Sequence, residues 1–151
     1  MNPSQRLKEL GFTVPTASKP LAAYIPAVKT GNLIFTAGQL PLVDGQMAGV
    51  GKVGGEISVE RGRELAEIAA LNALAAVETI TSIDNILRIV RVVGYVNGIP
   101  GFTNQPAVIN GASELFVKIW EDAGRHARSA IGVAELPLNA PVEIELTVEF
   151  R

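Results

Sequence analysis

The sequence lacks cysteine, has one histidine and is poor in aromatic residues. Without cysteine, disulfides, thiolate metal sites and cysteine nucleophiles are excluded. A single histidine, His126, excludes a metal site built from several imidazoles and leaves one candidate base for a catalytic triad. This residue lies between Arg125 and Arg128 near a predicted helix end, so we expect it at the surface. With aromatic residues at 5%, the core must be built from Val, Ile, Leu and Ala.

Long hydrophobic runs and an excess of positive charge are also missing. No window approaches the roughly 18 consecutive apolar residues of a membrane span. The charged start, MNPSQRLKELG, is not followed by the apolar run of a secretory signal. We therefore expect a soluble cytoplasmic protein with no membrane partner. The net charge of -2 and pI near 5.4 argue against a nucleic-acid partner, because nucleic-acid binders usually carry a basic stripe.

The 151 residues suffice for a single domain with a full core, in which residues 1–20 form an N-terminal helix and arm. Beyond the arm, the hydrophobic pattern predicts the order strand, strand, helix, strand, helix, strand, strand. The helices are predicted at 58–80 and 106–124, and a central strand at 86–96. This order indicates an α+β fold with two helices on one face of a mixed sheet. The other face would lack cover, so we expect an oligomer.

Two hairpins are predicted from local patterns. In the first, LAAYIPAVKTGNLIFT turns at residues 29–32, and Pro26 indicates an edge strand or a bulge. The second hairpin spans residues 125–151, with a Leu-Pro connection between its strands. In its last strand, apolar and polar residues alternate without a break: Val142, Ile144, Leu146, Val148 and Phe150 against Glu143, Glu145, Thr147, Glu149 and Arg151. We expect this hairpin to bring Arg128 close to the carboxylates at one end of the sheet.

A glycine-rich segment at residues 44–56 contains a literal G-x-G-x-x-G at Gly49, Gly51 and Gly54. A dinucleotide site needs a buried strand directly before the motif and an acidic residue at the end of a second strand about twenty residues later. The sequence has neither, because the residues that follow belong to the predicted long helix. We interpret the segment as a surface loop and reject a nucleotide-binding fold.

Three polar residues interrupt apolar elements. Asn72 falls on the apolar face of the long helix, where a buried amide bonded to backbone is expected. Arg88 and Arg91 interrupt the central strand, and their spacing predicts opposite faces of the sheet.

Composition and spacing alone leave the role of the last strand open. Three acids on an outward strand face usually serve solvation or subunit salt bridges. Alternatively, Arg128 at the mouth of a cleft can grip a carboxylate with its guanidinium fork. A neighbouring glutamate can then orient or deprotonate a water molecule.

Four motifs suggest a family. They are the Tyr24 segment leading into GNLIFTAGQLP, the helix sequence LNALAAV with SIDNILRIV, the segment NGASELF, and ARSAIGVAELPLNAPVEIE. On these motifs the chain resembles the RidA family, also called the YjgF-like or L-PSP family, from about residue 22 to the C-terminus.

The resemblance implies a chorismate-mutase-like subunit assembled as a homotrimer, with clefts between adjacent subunits. It also implies a deaminase that hydrolyses reactive 2-imino acids and their enamine tautomers, such as 2-aminoacrylate, to a 2-keto acid and ammonia. The expected partner is thus a small carboxylate substrate, and neither a cofactor nor a metal is expected.

The resemblance also assigns roles to individual residues. Arg128 would bind the substrate carboxylate, and Glu143 would position or activate the attacking water. Four further residues are expected to hold the substrate or line the cleft: Tyr24, Gly38, Asn110 and Ala130.

The sequence departs from the family pattern at several places. Ala130 stands where many members have cysteine, residues 44–56 and 94–106 are longer than usual, and the N-terminal helix is extra. These features place the chain in a divergent subgroup. Two alternatives follow: a non-catalytic trimer that binds a small carboxylate or regulates a partner, and an endoribonuclease, against which the acidic pI and single histidine argue.

Overall fold

The order of helices and strands follows the sequence prediction in the computed structural model, which describes residues 1–17, 19 and 23–151. The helices are α1 (Pro3–Glu9), α2 (Val59–Glu78) and α3 (Gln105–Trp120). The strands are β1 (Ala27–Thr30), β2 (Leu33–Thr36), β3 (Leu42–Val43), β4 (Gln46–Met47), β5 (Ile86–Asn97), β6 (Ala127–Val133) and β7 (Val142–Phe150). The predicted start of the first strand, at residues 21 and 22, lies outside the described residues.

Five of the strands form one mixed sheet in the order β1-β2-β7-β5-β6. Only the β5–β6 pair is parallel. The first hairpin is confirmed: Gly31 turns between β1 and β2 with φ of 57°, and Pro26 directly precedes the edge strand β1. Strands β3 and β4 form a separate small hairpin that includes the first residues of the glycine-rich segment.

The second predicted hairpin is wrong, because β6 and β7 do not pair. Strand β5 lies between them, parallel to β6 and antiparallel to β7. The connection, residues 134–141, crosses the end of β5, a distance of about 10 Å for two strand spacings. It turns there through Leu138 and Asn139, both with φ of 56°. Arg128 is therefore two strands away from the acids of β7.

Helices α2 and α3 pack on one face of the sheet, as predicted. Ser58 caps the start of α2 by accepting the Arg61 N–H at 3.0 Å. Small residues let α2 lie close on the strands, and several are completely buried: Ala66, Ala69, Ala70 and Ala73. Beneath them the apolar residues of β7 are buried except Phe150, which is partly covered like the polar set. The alternation seen in the sequence thus separates a core face from an open face.

The buried amide predicted at Asn72 is confirmed. Its Nδ2 donates to the carbonyl oxygens of Leu40 and Leu42, both at 2.9 Å. The amide therefore fixes the segment that leads into the β3–β4 hairpin.

Helix α1 is an additional layer on the edge of the two-helix face. Leu7 is 2% exposed, and the Arg6 guanidinium donates to the carbonyl oxygen of Ile119 at 3.1 Å. At the other end of the helix, the backbone N–H and hydroxyl of Ser4 bind the carboxylate of Asp84 at 2.8 and 2.9 Å. The N-terminal helix is thus docked on the end of α3. In the described part of the chain, no helix is both long and apolar enough to cross a membrane.

The open face of the sheet carries large apolar side chains as well as charge. Val28 is 51% exposed, Phe35 43% and Ile131 45%. Arg88 and Arg91 both lie on this face, so the prediction of opposite faces is wrong. A register shift between Ile89 and Arg91 inserts an extra residue into β5 as a bulge, and such a bulge reverses the alternation.

Substituting Gly111 with alanine tests how closely α2 and α3 pack. A Cβ at Gly111 would collide with the carbonyl oxygen of Arg63 in the facing helix. We expect Gly111→Ala to lower the free energy of unfolding by about 2 kcal/mol, although alanine favours helix more than glycine does. Urea unfolding measures the change, with Lys118→Ala on the exposed side of α3 as the control. A Gly111→Ala protein as stable as the wild type would contradict this packing.

Candidate active site

Arg128 lies on the helix side of β6, at the edge of the sheet. It pairs in register with Val92, which is fully buried beneath the helices, so both side chains point the same way. Its Nη1 donates to Asn110 Oδ1 at 2.8 Å and to Ser113 Oγ at 3.2 Å. Helix α3 supplies both acceptors, which are three residues apart and therefore share a face. The sequence thus brings Asn110 and Arg128 together, as expected.

The guanidinium of Arg128 has the features of an anion receptor. It is partly buried, and both of its bonded acceptors are neutral. Among the residues that the structure describes, no carboxylate lies within ion-pair distance of it. Its Nε and Nη2 edge can therefore present two parallel N–H groups to a carboxylate.

Ala130 follows on the same side of β6 and packs partly buried against the core. Two residues further on, Gly132 leaves room for Gln105, whose Nε2 would be 2.8 Å from a Cβ at that position. The N-terminal end of α3 thus lies over the end of β6. Because β6 is an edge strand, its outer backbone groups have no strand partner among the described residues and can meet a ligand. We call Arg128, Asn110 and Ala130 the arginine cluster.

Glu143 lies on the open face of the sheet, on β7. It pairs in register with Tyr95 and is partly buried. The chain beside it approaches closely because Gly38 has no side chain: a Cβ there would be 2.8 Å from Glu143 Cδ. Backbone hydrogen bonds between Gln39 and Ile144, at 2.7 and 2.9 Å, hold the two segments in this position. We call Glu143 and Gly38 the glutamate cluster.

The glutamate cluster is electrostatically tuned toward proton exchange. Burial raises the pKa of the Glu143 carboxyl above its usual range, and the neighbouring charge of Glu145 raises it further. Tyr95 donates its hydroxyl to Glu145, and this hydrogen bond raises the pKa of Tyr95 to about 12. Tyr95 therefore remains a protonated donor at neutral pH. A carboxylate with a raised pKa is a stronger base than an ordinary one.

The two clusters do not meet within one chain. The register row of Arg128 runs through Val92 to Leu146, whose side chain is buried beneath the helices, whereas Glu143 belongs to the opposite face. The expectation that the last hairpin would join arginine and carboxylates at one end of the sheet is therefore wrong. Tyr24 is 53% exposed before β1 and has no hydrogen bond to either cluster in the described residues.

Sequence reasoning missed Ser113 and misplaced His126. The ring of His126 is partly buried, not at the surface, and packs edge-on against Phe116 with 6.1 Å between ring centroids. Its Nδ1 is 2.7 Å from the Gly124 carbonyl oxygen and its Nε2 2.9 Å from Ser113 Oγ. Burial lowers the pKa of His126 below its usual value. Spacing could have indicated both residues, since His126 is two residues from Arg128 and Ser113 three from Asn110.

The glycine-rich loop is anchored at the C-terminal end of β6. Val53 within it is fully buried, and its backbone bonds to Asn97 and Ile99 at 2.8 and 3.1 Å. Lys52 Nζ binds Asn97 Oδ1 at 2.7 Å and the carbonyl oxygen of Ala134 at 2.6 Å. Beyond β4 the segment is a loop, as interpreted, but Val53 lies in the core and not at the surface.

The five-stranded mixed sheet and its two covering helices define a chorismate-mutase-like α+β fold. The family model described as "YjgF/chorismate mutase-like, putative endoribonuclease" matches residues 4–150. The chain therefore belongs to the YjgF/chorismate-mutase-like family, which confirms the resemblance noted in the sequence.

Individual relatives support this assignment over almost the whole chain. Protein TCP17 of Trypanosoma cruzi is 37% identical over 147 residues, which cover 96% of this chain and 92% of that protein. The crystal structure of Atu1372 from Agrobacterium tumefaciens, a protein of unknown function, is 42% identical with a TM-score of 0.91, covering 99% of this chain and 92% of that one. A "putative endoribonuclease" from Shewanella oneidensis MR-1 is 29% identical with a TM-score of 0.95, covering 99% and 100%. Such coverage means that α1 and the long loops have counterparts in these structures.

Proposed function

We propose that this protein is a hydrolytic deaminase of 2-imino acids and their enamine tautomers, acting as a homotrimer. The arginine cluster of one subunit would face the glutamate cluster of the next. One observation carries the proposal: Arg128 is partly buried, held by two neutral acceptors, and without a carboxylate partner among the described residues. A protein gains from such an arginine when a ligand supplies the anion.

The substrate class follows from the shape of this anion site. A guanidinium edge matches a planar carboxylate, which it holds in two parallel hydrogen bonds. With the carboxylate fixed at Arg128, the adjoining C2 atom would lie over Ala130, where a small side chain leaves space. A 2-imino acid carries its reactive carbon at this position.

The glutamate cluster supports the hydrolytic step. Glu143 would accept a proton from water while the water oxygen bonds to C2 of the iminium group. Glu143 then passes this proton to the amino nitrogen of the resulting carbinolamine. The C–N bond breaks, and the departing ammonia takes the hydroxyl proton and leaves as ammonium. The sum is iminium acid plus water giving 2-keto acid plus ammonium. No thiol participates in these steps, so alanine at position 130 is compatible with them.

Assembly is required because a single chain separates the two clusters. The open face that bears Glu143 also exposes Val28, Phe35 and Ile131, which makes it suitable for burial against another copy. A heterologous contact that closes into a ring brings different surfaces of adjacent subunits together. A cyclic trimer would thus pair each arginine cluster with a neighbouring glutamate cluster.

The direct test is keto-acid release from 2-aminoacrylate generated in the assay by a pyridoxal-phosphate lyase. We expect the wild-type protein to accelerate pyruvate formation above the spontaneous rate without added metal or cofactor. No acceleration, at a protein concentration where pyruvate binding is saturable, would contradict the deaminase proposal.

Saturable pyruvate binding without acceleration would favour a non-catalytic carboxylate-binding protein. The environment of Arg128 supports this alternative as well. The description of the matching family also names an endoribonuclease. Metal-free RNA cleavage that is abolished by Arg128→Ala or Glu143→Gln would be needed to support that activity.

A further inference from the structure

A chain of hydrogen bonds runs from Arg128 to the carbonyl oxygen of Gly124. The carbonyl oxygen of Gly124 can only accept, so His126 Nδ1, 2.7 Å away, carries the proton. In the neutral ring Nε2 is then an acceptor, and the hydroxyl of Ser113 donates to it at 2.9 Å. The Ser113 oxygen in turn accepts the Nη1–H of Arg128 at 3.2 Å. Each N–H or O–H group in this hydrogen-bond chain thus has one acceptor.

We propose that Ser113 and His126 are positioning residues that fix the Arg128 guanidinium for carboxylate binding. This inference rests on the proposed function, in which Arg128 is the carboxylate site. With Nη1 tied to Ser113 and Asn110, the opposite Nε and Nη2 edge is the one presented to a ligand.

The arrangement reduces the ordering cost of binding. An arginine side chain loses considerable rotamer freedom when a ligand immobilises it, and preorganisation removes that cost beforehand. His126 gives the chain a rigid end, since its ring is partly buried against Phe116 and bonded to the Gly124 backbone.

A nucleophilic serine is a poorer interpretation of the same contacts. Ser113 lies inside α3, where neighbouring backbone N–H groups are used by the helix and cannot form an oxyanion hole. Its oxygen also already accepts from Arg128. The Ser113–His126 pair is therefore oriented toward the arginine and not toward a bond to be cleaved.

The hydrogen-bond chain also couples ligand binding to the protonation of His126. Arg128 lies close enough to lower the pKa of His126, after the larger effect of burial. Three more charged groups line the depression beside the ring: Arg88, Arg125 and Glu149. From α3 the ring meets the uncharged Ser113 and Phe116. An anion bound at Arg128 offsets its charge, so we expect binding to raise the pKa of His126.

Pyruvate affinity, measured by calorimetry, tests the positioning role. We expect Ser113→Ala and His126→Ala each to raise the Kd about tenfold, the effect of losing a hydrogen bond to a charged group. Ser113→Thr, which keeps the hydroxyl, should stay close to wild type. Lys118→Ala, which removes a positive charge elsewhere on α3, is the charge control. Unchanged affinity in both alanine variants, with binding abolished in Arg128→Ala, would overturn the proposal.

The single histidine provides a readout that does not depend on the stability of variants. Its imidazole NMR signals need no assignment, and we expect the titration of His126 to move to higher pH when pyruvate saturates the wild-type protein. A pKa that pyruvate leaves unchanged would contradict the coupling. Pyruvate binding without turnover would contradict the deaminase. The pyruvate affinities of the variants and the titration of His126 could still be measured, so the two proposals fail separately. Absence of pyruvate binding contradicts the positioning role, whereas the deaminase is tested separately by turnover of 2-aminoacrylate.

Discussion

Replacing Arg128 with alanine is expected to lower kcat/KM for 2-aminoacrylate hydrolysis by about a thousandfold. Two charge-assisted hydrogen bonds to the carboxylate would be lost, worth about 4 kcal/mol together. Arg128→Lys should recover only part of the activity, because an ammonium keeps the charge but not the fork. Initial rates of pyruvate release at several substrate concentrations measure the change.

The Arg128→Ala protein should remain folded. Asn110 and Ser113 lie at a partly buried edge, so both can bond water once the guanidinium is removed. Thermal unfolding close to that of the wild type would show that the loss is functional. Activity within a few-fold of wild type in a folded Arg128→Ala protein would remove the carboxylate site from this proposal.

Replacing Glu143 with glutamine is expected to lower kcat by about a hundredfold or more, with little change in KM. The amide keeps the shape of the side chain but cannot take a proton from water. Glu149→Gln, on the same face of β7, is the matched control and should leave kcat unchanged. A Glu143→Gln enzyme with wild-type kcat would show that another group activates the water.

Stability should change in the opposite sense from activity. Burial raises the pKa of Glu143 in the folded protein, so the neutral carboxyl is favoured by folding and the charged form is not. Its stabilising contribution is complete below the unfolded-state pKa and is lost as the pH rises through the folded-state pKa. Glu143→Gln should therefore be more stable than wild type at neutral pH, and the difference should vanish in acid. Urea unfolding of both proteins at pH 7 and at pH 4 measures the difference in the free energy of unfolding.

The sequence predicted those elements whose pattern is set by their own residues. Alternation in β7, the capped α2 and the Gly31 turn are each determined locally, and each lies where expected. The pairing of strands is not local. An eight-residue connection permits either a wide hairpin or a crossing over a neighbour, and no residue in it distinguishes these outcomes in advance.

The sequence names candidate site residues but does not predict how they are arranged in space. Which residues belong together depends on the face each strand presents, and the bulge in β5 alters that face for Arg88. The contact between Ser113 and His126 depends on how α3 lies over β6, which the spacing within each element does not fix. The close approach of Gly38 to Glu143 likewise comes from long-range pairing of Gln39 with Ile144.

Subunit complementation tests most directly whether two copies build one active site. Arg128→Ala and Glu143→Gln proteins, each inactive alone, would be unfolded together and refolded as an equal mixture. In a cyclic trimer, about three-quarters of the assemblies would then be mixed, and each would contain one intact site out of three. The expected result is about a quarter of wild-type activity. Activity no higher than that of the separate variants, in a mixture shown to contain mixed trimers, would contradict a site shared between subunits.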